Sequence, residues 1–122
     1  MSRILLCDNE ETLRNLMRAS LDGLGHQILE ARTGDEGLQL ARELLPDLVL
    51  LDMMMPGRSG LEVLKDLRAD PALADVAVVM VTARVQAYDR EAALAAGADA
   101  FLSKPFRPAE LVGIVSELLD AR

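Results

Sequence analysis

The chain has one cysteine, one histidine, one tyrosine, two phenylalanines and no tryptophan in 122 residues. A single thiol cannot close an internal disulfide, so a cross-linked secreted scaffold is excluded and a reduced, cytoplasmic setting is expected. Cys7 reads as a small buried hydrophobe rather than a redox centre. One imidazole cannot build a histidine-based catalytic or metal set, and His26 reads as a surface or turn residue. So few rings make base-stacking or sugar-stacking surfaces a poor expectation. No apolar run is long enough to cross a bilayer, and residues 1–6 read as the start of a strand rather than a secretion signal. Basic residues are in the minority, 13 against 20 acidic ones, for a formal net charge of −7. That balance argues against direct nucleic-acid binding by this stretch of chain. What is present is a 51% hydrophobic share with 27% charged residues, the composition of one folded domain over residues 1–122.

Short apolar runs alternate with helical periodicity. Ile4–Cys7, Gln27–Ala31, Leu48–Leu51, Val76–Val81 and Ala100–Ser103 read as strands. Leu13, Leu16, Met17, Leu21 and Leu24 recur at helical spacing up to Gly25. Thr33 with Glu36 is a capping-box pair that opens a second helix reaching about Leu45. Leu61, Leu64 and Leu67 mark a third, stopped near Asp70-Pro71. An alanine-rich fourth runs from about Ala87 to Ala96 and is closed by Gly97. Pro108 suits the first turn of a fifth, whose stripe is Leu111, Ile114, Val115 and Leu118. Five βα units imply an α/β fold, a five-stranded parallel sheet between helical layers, three layers αβα in all. A doubly wound order of 2-1-3-4-5 would set strands one and three side by side at the switch point.

Right-handed crossovers carry every strand's C-terminal end to one edge. Asp8 with Asn9, Asp52, Thr82, and Lys104 with Pro105 all stand at or just past such ends. Clustered carboxylates repel one another and call for a cation; oxygen ligands on a wet edge suit Mg²⁺, which favours phosphate partners. With charge neutralised, an anionic Asp52 can attack a phosphoryl group. Lys104 offers a point charge and Thr82 a hydroxyl for its oxygens. Gly57-Arg58-Ser59-Gly60 lacks the spacing and the lysine of a phosphate-cradling loop.

Four motifs, Ile4-Leu5-Leu6-Cys7-Asp8-Asn9-Glu10, Asp52 with Met53-Met54-Met55-Pro56-Gly57, Val81-Thr82-Ala83, and Ser103-Lys104-Pro105-Phe106, occur in that order. Together they resemble the receiver domain of two-component response regulators, over essentially the whole chain. The resemblance implies a flavodoxin-like (βα)₅ fold and a phosphohistidine donor, on a sensor histidine kinase or phosphotransfer protein, for Asp52. It implies that Thr82 and Lys104 sense the phosphoryl group, that Phe101 is the switch aromatic, and that Lys104–Pro105 is cis. It makes the Met54 carbonyl a metal ligand beside Asp8, Asn9 and Asp52. Met54 and Arg84 match positions that line the approach to the acyl phosphate in similar proteins, and are expected to influence how long the phosphorylated state lasts. Output would pass through the fourth helix, fifth strand and fifth helix to a protein partner, and dimerisation there stays open.

One departure stands out. Similar proteins carry two acids after strand one, whereas this chain has Asp8-Asn9. The spacing from Asn9 to Gly25 places Asn9, not Asp8, at the direct metal-binding position of the family. Loss of that charge predicts weaker Mg²⁺ binding, and keeps open a phosphorylation-independent binding module. An enzyme is the poorer reading: no cofactor fingerprint appears, and a phosphohydrolase of this type would carry an acid where Met54 stands.

Overall fold

The computed structural model describes residues 2–83 and 87–121, apart from the side chains of residues 87 and 88. Ten elements alternate: β1 (Arg3–Cys7), α1 (Glu11–Leu21), β2 (Gln27–Ala31), α2 (Gly34–Leu44), β3 (Leu48–Leu51), α3 (Gly60–Ala69), β4 (Ala77–Thr82), α4 (Ala87–Ala95), β5 (Ala100–Ser103) and α5 (Pro108–Asp120). Every strand pairing is parallel, and the order is β2-β1-β3-β4-β5. This is the flavodoxin-like α/β arrangement expected from the pattern. Among the described residues no helix is long and apolar enough to cross a membrane.

The central strands are apolar apart from Arg3 at the start of β1 and Thr82 at the end of β4, because both faces of the sheet are covered. Alternate side chains go to opposite layers. Ile4, Leu6, Leu48, Leu50, Val79 and Val81 meet Met17 and Leu21 of α1 and Leu111 and Val115 of α5. Leu5, Cys7, Val49, Leu51, Val78 and Met80 meet Leu38 of α2, Leu64 and Leu67 of α3, and Ala93 of α4. Each fully buried Leu, Ile or Val contributes about 1.5–3 kcal/mol, so the sheet is the rigid platform on which the strand ends are displayed.

The helix boundaries show where local chemistry decides. Thr33 Oγ1 accepts the Glu36 N–H at 3.1 Å, but the Glu36 carboxylate accepts from the Arg32 N–H, so this box is only half formed. Ser59 and Glu62 form a complete capping box at the start of α3, readable as Ser-x-x-Glu but not anticipated. Helix α1 ends at Leu21, earlier than its apolar spacing suggested; Leu24 lies beyond it, 45% exposed, and Leu16 is 40% exposed. Leu13, Met17 and Leu21 already fill the face toward the sheet, and the chain reverses through Gly23 and Gly25, both at positive φ. Val76 precedes β4, which continues instead to Thr82.

Candidate functional site

Asp8 and Asp52 each stand one residue past adjacent strands, with Cys7 opposite Leu51 in register. Backbone bonds run one step further and carry the acids to the edge: the Asp8 N–H donates to the Ala31 carbonyl at 3.1 Å and the Asp52 N–H to the Cys7 carbonyl at 3.0 Å. Across the edge, the Lys104 N–H donates to the Thr82 carbonyl at 2.9 Å. The Lys104 ammonium then reaches back over the sheet. Its Nζ is 2.8 Å from Asp8 Oδ2, 3.1 Å from Asp52 Oδ2 and 3.7 Å from Glu10 Oε1.

The Asp8 and Asp52 carboxylates are each held at both oxygens. Asp8 Oδ1 accepts the Glu10 N–H at 2.8 Å, and Asp52 Oδ1 accepts the Met54 N–H at 3.1 Å. Burial alone would pull the Lys104 pKa down; the hydrogen bond to Asp8 and the charge and hydrogen bond of Asp52 outweigh it, and the net shift is upward. The ammonium therefore stays charged at neutral pH. Burial, reinforced by the charges of Asp8, Glu36 and Asp52, pushes the Cys7 thiol up to about 12, which keeps it a neutral packing group.

Carboxylate oxygens of Asp8, Glu10 and Asp52 lie within 4.8 Å of one another. An all-oxygen, anionic set of this size fits a hard divalent cation better than a soft one. Such an ion and the Lys104 ammonium would share the same negative charge.

Of the residues singled out in the sequence, the structure brings together Asp8, Asp52 and Lys104 by side chain and Met54 by backbone. Thr82 ends β4 and is buried. Asn9 is exposed in the bend after β1. The Met54 side chain is 59% exposed beside the acids. Phe101 is buried in β5 on the α4 side, with the Arg90 guanidinium 5.6 Å from its ring centroid, a cation–π distance. The Lys104–Pro105 bond is cis. Arg84 lies outside the described residues.

Sequence reasoning missed Glu10 and two glycines. Glu10 was visible as the third polar residue of Asp8-Asn9-Glu10. A Cβ on Gly60 would lie 2.0 Å from the Asp52 carbonyl oxygen, and one on Gly34 would lie 2.4 Å from that of Arg58. Helices α2 and α3 thus press their first turns against the loop that carries Asp52, and Arg58 in that loop pairs with Asp35 and Asp66. The signal was the Gly57-Arg58-Ser59-Gly60 run, which serves close approach rather than phosphate cradling.

Comparison with known proteins agrees with this fold. The family model described as response regulator receiver domain matches residues 4–116. The phosphate regulon transcriptional regulatory protein PhoB of Escherichia coli (strain K12) is 38% identical over 117 residues, 96% of this chain and 51% of that protein. The DNA-binding response regulator MtrA of Mycobacterium leprae is 42% identical over 113 residues, 93% and 49%. The chain therefore spans about half the length of the curated relatives it matches. The crystal structure of a CheY-like response regulator receiver domain protein from Methanospirillum hungatei superposes with a TM-score of 0.93 at 28% identity, covering 99% of this chain and 95% of that one. The chain belongs to the response regulator receiver domain family of two-component systems.

Proposed function

We propose that residues 1–122 act as one receiver that takes a phosphoryl group onto Asp52 from the phosphohistidine of a sensor histidine kinase or phosphotransfer protein. The observation that carries this reading is the Lys104 ammonium, 3.1 Å from Asp52 and 2.8 Å from Asp8 at an open sheet edge. A carboxylate oxygen of Asp52 attacks phosphorus, the bond to the donor imidazole breaks, and that imidazole leaves with the bonding pair. The protein's part is positioning and charge neutralisation. Asp8, Asn9, Asp52 and the Met54 carbonyl would hold Mg²⁺, with Glu10 adding negative charge at the rim. When bound, Mg²⁺ neutralises the repulsion between carboxylate and phosphoryl oxygens.

An apolar groove of about 310 Å³, bounded in part by Leu13, Leu16, Pro105 and Phe106, opens beside Lys104. It supports donor docking at this edge and gives exposed Leu16 a use. Once Asp52 carries phosphate, Lys104 and the Thr82 hydroxyl are drawn to its oxygens, and Phe101 changes its packing against α4. The face of α4, β5 and α5 then shifts affinity for an output protein or a second copy of the chain. The net charge of −7 points to a protein partner rather than nucleic acid for this stretch, and the single cysteine fits a reduced, cytoplasmic setting. Met54 and Arg84 set how long the phosphoryl group survives; Met54→Ala should alter the dephosphorylation rate in a time course, and an unchanged rate removes that role for Met54.

Asn9 favours a second reading, a receiver-fold module that binds partners without phosphorylation. Titration with beryllofluoride and Mg²⁺, followed by heteronuclear NMR, separates the two. Phosphoacceptor function predicts Mg²⁺-dependent shifts around Asp52, Thr82 and Lys104 that vanish in Asp52→Ala. A wild-type spectrum that does not respond contradicts it and leaves the second reading.

A further inference from the structure

Arg14 lies on α1 and is 4% exposed. Burying a guanidinium costs several kcal/mol unless its charge and donors are matched, so its partners show what it holds. Nη1 donates to the Asp8 carbonyl at 2.6 Å, and Nε donates to Glu30 Oε1 at 3.0 Å. The paired run of β1 ends at Cys7 opposite Ala31. The Asp8 carbonyl therefore lies past the ladder, where a buried acceptor needs another donor. Glu30 sits on β2 opposite Leu6 and is held by Arg18 as well. One side chain thus ties β2, α1 and the peptide between Asp8 and Asn9 into a single joint.

The plane of that peptide sets where the next side chains point. Asp8 turns inward to Lys104 and accepts the Glu10 N–H, while Asn9 and Glu10 stay exposed at the rim. Glu30 also offsets the positive charge of Arg14, which would otherwise oppose a cation nearby. We infer that Arg14, seated by Glu30, is a positioning residue for the acid pocket: it fixes the peptide between Asp8 and Asn9, and through it the pocket's affinity for a divalent cation. The inference rests on the metal-binding reading above. Arg14 acts through the backbone and touches neither Asp52 nor the transferred group.

The test uses the full chain with Arg14→Met and Glu30→Gln. Three readouts are compared with wild type: thermal unfolding, Mg²⁺ affinity by calorimetry, and hydrogen exchange of the Glu10 amide. Partners that orient metal ligands typically change affinity roughly ten- to a hundredfold when removed. Folded Arg14→Met should bind Mg²⁺ weaker by about that factor, and its Glu10 amide should exchange faster while that of Leu6 in β1 stays protected. A purely structural role would lower the unfolding temperature and leave both other readouts unchanged, which overturns the inference. If Arg14→Met does not fold, Glu30→Gln decides: weaker Mg²⁺ binding with a faster Glu10 amide supports it, and wild-type values overturn it. Wild-type protein that binds no Mg²⁺ would sink the metal-binding reading, and Glu10 exchange would still decide whether Arg14 positions the loop.

Discussion

Asn9 carries no charge, and its neighbours Asp8, Glu10 and Asp52 carry three that share the Lys104 ammonium. Asn9→Asp adds a fourth anion to this edge. The variant should bind Mg²⁺ more tightly by calorimetry and, without metal, unfold at a lower temperature than wild type, because like charges are then closer to unopposed. Equal or weaker Mg²⁺ binding would show that position 9 does not face the ion. At this scale the sequence was most legible where a residue type is out of place. An acid or a lysine at the end of an apolar strand announces itself, as Asp8, Asp52 and Lys104 do. Glu10 did not, because a glutamate before a helix is ordinary; only the fold puts its carboxylate within 4.8 Å of the other two. Arg14 was hidden for a related reason. It occupies a helical position that looks solvated, and its burial depends on a carbonyl and a glutamate supplied by two other elements.

The junction of β3 with α3 holds two residues that look alike in sequence and differ in consequence. Ser59 caps the helix through its side chain, whereas Gly60 permits contact through the lack of one. Ser59→Ala should cost about 1 kcal/mol in chemical denaturation and leave phosphoryl uptake intact. Gly60→Ala places a Cβ against the Asp52 backbone, which cannot rotate away; it should cost about 1–3 kcal/mol and also slow uptake by displacing Asp52. Equal effects of the two substitutions on uptake would mean that Gly60 serves the helix alone. Strands were readable to within a residue because runs such as Leu48–Leu51 have no competing period. Helix α1 was overrun because Leu16 and Leu24 extend an apolar spacing that the sheet does not use. Packing sets where such a stripe ends, and periodicity alone cannot see it.

Across the whole molecule, pH acts through a few shifted groups. The hydrogen bond from Arg18 outweighs the opposing effect of burial and, with the hydrogen bond from Arg14 and the charges of both, lowers the Glu30 pKa below its usual 4.5. Its contribution to stability is present above 4.5 and fades as pH falls through the folded value. The raised Lys104 contributes fully below its usual 10.5 and is lost as pH climbs through its higher folded value. Cys7, raised from 9.0 to about 12, erodes stability across that interval, since the unfolded chain ionises first. Urea midpoints should therefore form a plateau from about pH 5 to about pH 9 and decline on either side. A midpoint that rises from pH 9 toward 11 would contradict the assignment of Lys104 and Cys7.

The architecture itself was legible because alternation of buried strands and amphipathic helices admits few chain paths. The pattern also led the strand ends to one edge; what it could not supply was the contacts there, Lys104 Nζ at 2.8 Å from Asp8 and 3.1 Å from Asp52, on which the function proposed for Asp52 depends. Intact mass after incubation with acetyl phosphate and Mg²⁺ tests that function most directly. The account predicts the gain of one phosphoryl group in wild-type protein and none in Asp52→Ala. Uptake that persists in Asp52→Ala, or none in the folded wild type, would contradict it.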